Sequence, residues 1–153
     1  MRFLELKVPP PIVALLIGGA MWVASRSGPA LDLPLFVRIV AFAAISLVGG
    51  ATALAGDLAF RRAQTTINPF RPQNTSALVV SGVYRFTRNP MYLGLLLVVL
   101  GWTAFLCSAV ALLGPVAFVA YITRFQIVPE ERALLAKFGA DYSAYLARVR
   151  RWL

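Results

Sequence analysis

Long apolar runs broken by short polar, turn-rich stretches set the pattern of this chain. Ile12 to Ala24 is apolar, bounded by Pro9-Pro10-Pro11 before it and Arg26-Ser27-Gly28-Pro29 after it. The first stretch resembles a signal peptide in length, but the residues after it make a poor small-x-small cleavage site. A retained short helix over 10–25 is expected, with Trp22 near the membrane interface. A turn over Leu31–Pro34 leads into a second apolar segment from about Leu35 to Phe60. Its Ala/Gly-rich part, with Gly49 and Ala53 four residues apart, suits close helix approach in lipid or an oligomer interface. Arg38 near its start is expected to snorkel to the headgroups. Asp57 stands one helical turn before Arg61, where an i,i+4 ion pair is the first reading. Arg61-Arg62 ends the segment, and residues 63–80 form a polar connector with two prolines. A third span is expected over about 90–106, with Pro90 in its first turn, where a missing N–H costs nothing. A turn at Ser108 and a fourth span over about 109–128 follow, with Pro115 expected to kink it. In the tail, Leu134, Phe138, Tyr142, Tyr145 and Val149 recur at helical spacing and form one apolar stripe. Gly139 interrupts that stripe, so one amphipathic helix or two short ones fit it equally. Arg148, Arg150 and Arg151 beside Trp152 suit a membrane surface.

Composition agrees with a bilayer. Of the 153 residues, 59% are hydrophobic and 14% charged, against roughly half and a quarter in soluble domains. The expected fold is an all-α integral membrane protein: about four transmembrane helices, a cytoplasmic connector and C-terminal amphipathic helices. It would be one membrane domain over 1–153, with two N-terminal spans in 1–62, the connector in 63–90, a helical hairpin in 91–128 and the tail in 129–153. The net charge of +9 would suggest nucleic acid in a soluble protein, but here it is assigned to the membrane and not to nucleic acid. Thirteen of the fifteen Lys and Arg residues fall on one side of a four-span arrangement. The positive-inside rule makes that side, with both termini, cytoplasmic in a multi-pass protein of the cytoplasmic membrane.

The chain contains no histidine and a single cysteine, Cys107. That removes histidine bases, His-based dyads, most zinc sites and any intrachain disulfide. Glu130 and Glu131 are the only adjacent acids, so no metal site is expected. Chemistry in such a chain has to come from a bound organic cofactor.

Two polar islands stand out: Ser81–Gly94, which holds Tyr84-Arg85 and Arg88-Asn89-Pro90-Met91-Tyr92-Leu93-Gly94, and Pro129-Glu130-Glu131-Arg132. The hairpin between them would bring both to one membrane face. Taken singly, each has a plain reading: Arg85 and Arg88 as positive-inside residues, Tyr84 and Tyr92 as interfacial aromatics, the glutamates as acids in the first turn of a helix. Together with Phe138-Gly139, Tyr142 and Tyr145, and with Thr65-Thr66, Pro69 and Leu78-Val79 in the connector, they resemble the isoprenylcysteine carboxyl methyltransferase and phospholipid methyltransferase group. The resemblance covers about residues 57–153. That group usually has Arg-His-Pro-x-Tyr, and Asn89 replaces the histidine here.

The resemblance implies an integral membrane enzyme that uses S-adenosylmethionine as cofactor. Arg88, Asn89 and Tyr92 would hold the methionine end, Glu130 and Glu131 the amino group or ribose hydroxyls, and backbone near Val80 to Tyr84 the adenine. Glu131 and Arg132 are the catalytic candidates. The methyl acceptor would be a lipophilic small molecule or lipid entering from the bilayer, with a carboxylate, amine or thiol as nucleophile. A non-enzymatic membrane assembly or transport subunit is the alternative. A nicotinamide-dependent membrane reductase ranks below both, since the chain has no Gly-rich dinucleotide loop.

Overall fold

A computed structural model describes residues 4–63 and 77–153. Residues 64–76, which carry most of the connector with Thr65, Thr66, Pro69 and Arg71, lie outside it. The elements among the described residues are all helical: α1 (Pro10–Ser25), α2 (Leu35–Arg62), a 3-10 turn (Gly82–Arg85), α3 (Pro90–Leu106), a 3-10 turn (Ala109–Leu112), α4 (Leu113–Ile122), a π turn (Thr123–Ile127) and α5 (Val128–Arg148). The second 3-10 turn, α4, the π turn and the first part of α5 run on as one rod from Ala109 to Gly139.

Packing is antiparallel. Along the α2–α3 contact, Gly101 faces Phe42 and Ser46, Gly94 faces Gly49 and Ala53, and Pro90 faces Gly56. The two backbones nearly touch: a Cβ on Gly94 would lie 2.5 Å from the Gly49 carbonyl oxygen. The Ala/Gly stretch of the second span is therefore used inside the chain, against α3, and gives no reason of its own to expect an oligomer. Along α1 and α4, Met21 faces Gly114, and Gly28 faces Val110. At the other end, Val8 accepts from Gln126. The starts of α1 and α3, the end of α2 and the Thr123–Arg132 stretch thus share one end of the bundle. At the opposite end the two loops are joined by an Ala30–Ser108 bridge, with the Leu31 N–H donating to the Cys107 carbonyl at 2.7 Å.

The core contains Val13, Val99, Leu106, Phe118, Ile122 and Ile127. Outside it the bundle is as apolar as within. Only 11% of the most hydrophobic window of α2 is buried, and Leu15, Phe36, Leu47, Leu113 and Val116 are each at least two-thirds exposed. An apolar surface of that extent needs lipid or a partner to cover it. Two helices, Leu35–Arg62 and Ala109–Arg148, are long and apolar enough to cross a membrane, while α1 and α3 are shorter apolar helices.

The structure corrects three sequence expectations. Pro115 makes no kink: it lies in the first turn of α4, where it interrupts nothing. The irregularity is instead the π turn before Pro129. Pro129 has no N–H to give the Phe125 carbonyl one helical turn back, and that carbonyl accepts from the Leu6 N–H at 2.9 Å. The tail does not begin a separate helix at 129, because α5 continues the rod until Gly139, whose φ of 50° and ψ of −118° breaks it. Arg38 does not reach for headgroups: its Nε donates to the Phe105 carbonyl near the end of α3, and its guanidinium lies over the Phe105 ring.

Candidate functional site

The polar end of the bundle gathers most of the residues singled out from the sequence. Pro90 starts α3 immediately after a non-helical Asn89, which fixes Tyr92 within the first turn and points it at the rod. The Tyr92 hydroxyl donates to Glu130 Oε1. Glu131, the next residue on α5, faces a different way: Arg88 Nη2 lies 3.1 Å from its Oε1, and Arg151 reaches it with two donors, Nε to Oε1 at 3.0 Å and Nη2 to Oε2 at 2.7 Å. The two glutamates thus have distinct surroundings, one a neutral hydroxyl and the other two guanidiniums. Arg88 Nε is buried and has no partner among the described residues.

Tyr84 closes the second side. Its ring packs edge-on against Phe60 of α2, with centroids 5.3 Å apart, and its carbonyl accepts from the Tyr145 hydroxyl at 2.8 Å. Burial pushes the Tyr84 hydroxyl well above the usual tyrosine range. Gly82, at φ 62°, permits this turn; a side chain there would adopt the left-handed conformation at a cost. Between the turn and the end of α2 opens a cleft of about 470 Å³, lined by Ala55, Leu58, Ala59, Arg62, Ser81 and Val83. That volume is in the range of small-molecule sites, about 300–1,000 Å³. Val80, beside the cleft lining in sequence, is largely exposed.

Asn89 and Arg132 behave differently from expectation. The Asn89 side chain donates to the Arg151 carbonyl at 2.9 Å, so it is tied to the tail. Arg132 is not brought to the other candidates. It pairs with Glu5 at 2.6 Å, alongside Arg124 at 2.8 Å, on a half-exposed flank. Asp57 makes the ordinary helical pair with Arg61, at 2.7 Å.

Three residues in this region escaped the sequence reading. Thr87 is buried, and its hydroxyl accepts from the Asn89 N–H at 3.2 Å. Gln126, fully buried, anchors the segment before α1 through the Val8 carbonyl at 2.7 Å. Arg151 sat in a basic, aromatic-flanked tail that read as a membrane-surface segment; its bidentate grip on Glu131 and the Trp152 Nε1 bond to Thr123 Oγ1 at 3.2 Å fold that segment back onto the bundle. A buried polar side chain in an apolar helix is a signal for Gln126, but nothing local marks Arg151 apart from Arg148 or Arg150.

Comparison with known proteins adds a family. A protein of Haemophilus influenzae described as uncharacterized is 49% identical over 63 residues, which are 41% of this chain and 100% of that protein. Protein-S-isoprenylcysteine O-methyltransferase B of Arabidopsis thaliana is 33% identical over 91 residues, 58% of this chain. The match spans 45% of the plant protein, less than half its length. No solved structure matches the chain. The family described as phospholipid methyltransferase matches residues 36–141, from the start of α2 into α5, and with them both polar islands. Spanning well over half of the sequence, that match shows that the chain belongs to the phospholipid methyltransferase family.

Proposed function

We propose that this protein is an integral membrane methyltransferase that takes its methyl group from S-adenosylmethionine and delivers it to a lipophilic acceptor. The observation that carries the reading is the meeting of the two family motifs: Tyr92 with Glu130, and Arg88 with Glu131, at one end of the bundle.

The residues present fit the cofactor. The buried Arg88 Nε without a partner is a charged donor suited to a carboxylate. Glu130, which has no cationic partner among the described residues, supplies a carboxyl group suited to an ammonium or to ribose hydroxyls, while Glu131 holds Arg88. The cleft beside the Ser81–Val83 turn offers room and backbone for an adenine. When bound, the sulfonium supplies the reactivity. The chain's part is to orient the two reactants and exclude water. A carboxylate or thiolate acceptor needs no base. For an acceptor that must lose a proton, the Glu130 carboxylate is the better placed base to receive it, because it has no cationic partner among the described residues whereas Glu131 has two.

Four helices crossing the bilayer best account for the exposed apolar surface. At 1.5 Å per residue, the 16 residues of α1 and 17 of α3 reach about 24–26 Å, close to the roughly 30 Å hydrocarbon core. The polar end would face the cytoplasm, and the acceptor would arrive from the bilayer.

Isothermal calorimetry of the detergent-purified protein with S-adenosylhomocysteine tests the reading. Saturable binding is expected, and its absence would overturn it. Comparing lipid extracts from cells with and without the gene by mass spectrometry then identifies the acceptor, as a species that gains one methyl group.

A further inference from the structure

Val149 leaves α5 in an extended conformation, with φ −121° and ψ 134°, and the residues after it turn back over the start of α3. They are bonded to that start at successive positions. The Arg88 N–H donates to the Arg150 carbonyl at 3.0 Å. The Thr87 hydroxyl and the Asn89 amide both donate to the Arg151 carbonyl, at 3.4 and 2.9 Å. The Arg151 guanidinium holds Glu131 with two bonds, and Trp152 pins the strand to the π turn. A basic tail lying on lipid headgroups would have no such bonds to the bundle.

We infer that this strap over 149–153 is part of the cofactor site, with Arg151 as a positioning residue that acts through Glu131. The inference rests on the methyltransferase reading above.

Its physical basis is a count of charge and geometry. One carboxylate faces two guanidiniums, so the cluster keeps one positive charge. Arg88 and Glu131 are only 11% and 16% exposed, which limits screening of that charge. A bidentate guanidinium fixes the plane of a carboxylate, which the point charge of an ammonium cannot do. With Arg151 occupying both oxygens of Glu131, Arg88 meets that carboxylate through Nη2, and its buried Nε, without a partner among the described residues, is left for another acceptor. Without Arg151, Glu131 is free to rotate and take a second donor from Arg88. The positive charge offered to an anionic ligand group then falls, although Arg151 itself touches no ligand. The Asn89 amide is spent on the strap. A neutral side chain is enough for that, so this tether needs no histidine at position 89.

The test uses the full chain in detergent, with S-adenosylhomocysteine as the calorimetric probe. R151Q is expected to weaken binding about tenfold, the scale of a lost charge-assisted hydrogen bond. R151K should recover only part of that. R148Q is the control: Arg148 is exposed and, among the described residues, bonds only to the Ala144 carbonyl, and the affinity of R148Q should stay within twofold. E131Q combined with R151Q should bind no more weakly than E131Q alone. Wild-type affinity in R151Q, tighter binding in R151Q, or simple addition of the two single effects would each overturn the inference.

A second readout is independent of the cofactor. The Arg88 N–H, which the Arg150 carbonyl accepts, should exchange slowly in the wild type and faster in R151Q. Fast exchange at Arg88 in the wild type would sink the strap even if the cofactor binds. Failure of the wild type to bind any S-adenosylhomocysteine, with a protected strap, would sink the methyltransferase reading instead and remove Arg151's role with it.

Discussion

Replacing Gly94 by alanine adds one methyl group at the tightest point of the bundle. The new Cβ would stand 2.5 Å from the Gly49 carbonyl oxygen, 2.8 Å from the Ala53 Cβ and 3.1 Å from the Ala53 nitrogen. Two of those three atoms are backbone and the third is a Cβ, so none can swing aside. Restoring ordinary contact requires α2 and α3 to part by roughly 1 Å, given an optimum of about 3.5–4 Å between such atoms. Overpacking of this kind costs about 1–3 kcal/mol, and a contact made by backbone belongs at the upper end. Alanine returns about 1 kcal/mol in helix propensity. The net loss is therefore about 2 kcal/mol. Gly50 provides the matching control: a Cβ there meets nothing within 4 Å, so G50A keeps the propensity gain without the clash. Chemical unfolding of both variants in detergent reads the difference. G94A should be the less stable by about 2–3 kcal/mol. Equal stabilities would refute the close α2–α3 crossing. Gly94 follows Tyr92 by two residues, so the same parting should also disturb the Tyr92–Glu130 contact and lower cofactor affinity in G94A.

The remaining predictions concern the polar end. Tyr92→Phe removes the donor to Glu130 and should weaken S-adenosylhomocysteine binding about tenfold while leaving membrane insertion intact; unchanged affinity by calorimetry would remove Tyr92 from the site. Arg88→Ala should abolish measurable binding, whereas Arg132→Ala, which loses only an exposed pair with Glu5, should stay within twofold; the reverse order would move the site to the Glu5 flank. The Glu5 carboxyl is held below the usual range, chiefly by its hydrogen bond from Arg124, with Arg132 adding to it. A carboxyl lowered on folding contributes stability at neutral pH that is lost as the pH falls through its folded pKa. The protection factor of the Leu6 amide, its exchange rate relative to the intrinsic rate at each pH, should therefore fall in acid, and E5Q should show that lower protection already at neutral pH. A pH-independent protection factor in the wild type would contradict it.

The ends of α1, α2 and α3 could be read from the sequence because apolar runs and proline-marked starts are local signals. Pro10 and Pro90 begin helices where they were expected to. Arg38, Pro115 and the tail were misread because their partners lie far away in the chain. Arg38 is 67 residues from the Phe105 carbonyl that it caps. Pro115 is harmless because the helix happens to start two residues before it. Arg150 meets the start of α3 through its carbonyl, whereas Arg151 adds its guanidinium on Glu131, and nothing local tells them apart until the segment folds back onto the bundle. The meeting of the two polar islands was accessible because a hairpin of known length returns the chain to the same end, whereas the Tyr92–Glu130 pairing within it depends on side-chain direction.

Side-chain direction explains how the second island divides its work. Successive residues on a helix are turned by about 100°. Glu130, Glu131 and Arg132 read as one polar cluster, yet they fan out to three separate elements: Tyr92 on α3, Arg88 together with the 149–153 strap, and Glu5 before α1. The first two contacts are adjacent because Arg88 and Tyr92 lie four residues apart around the start of α3. The third is not, because another 100° carries Arg132 out of their reach and onto the flank that holds the N-terminal segment. One dipeptide can therefore serve a site while its neighbour serves the fold. An exchange of Glu131 and Arg132 would keep the composition of the island but leave Arg88 and Arg151 facing a third guanidinium. Such a variant should lose cofactor binding altogether, and retained affinity would show that the charge of the island matters more than its order.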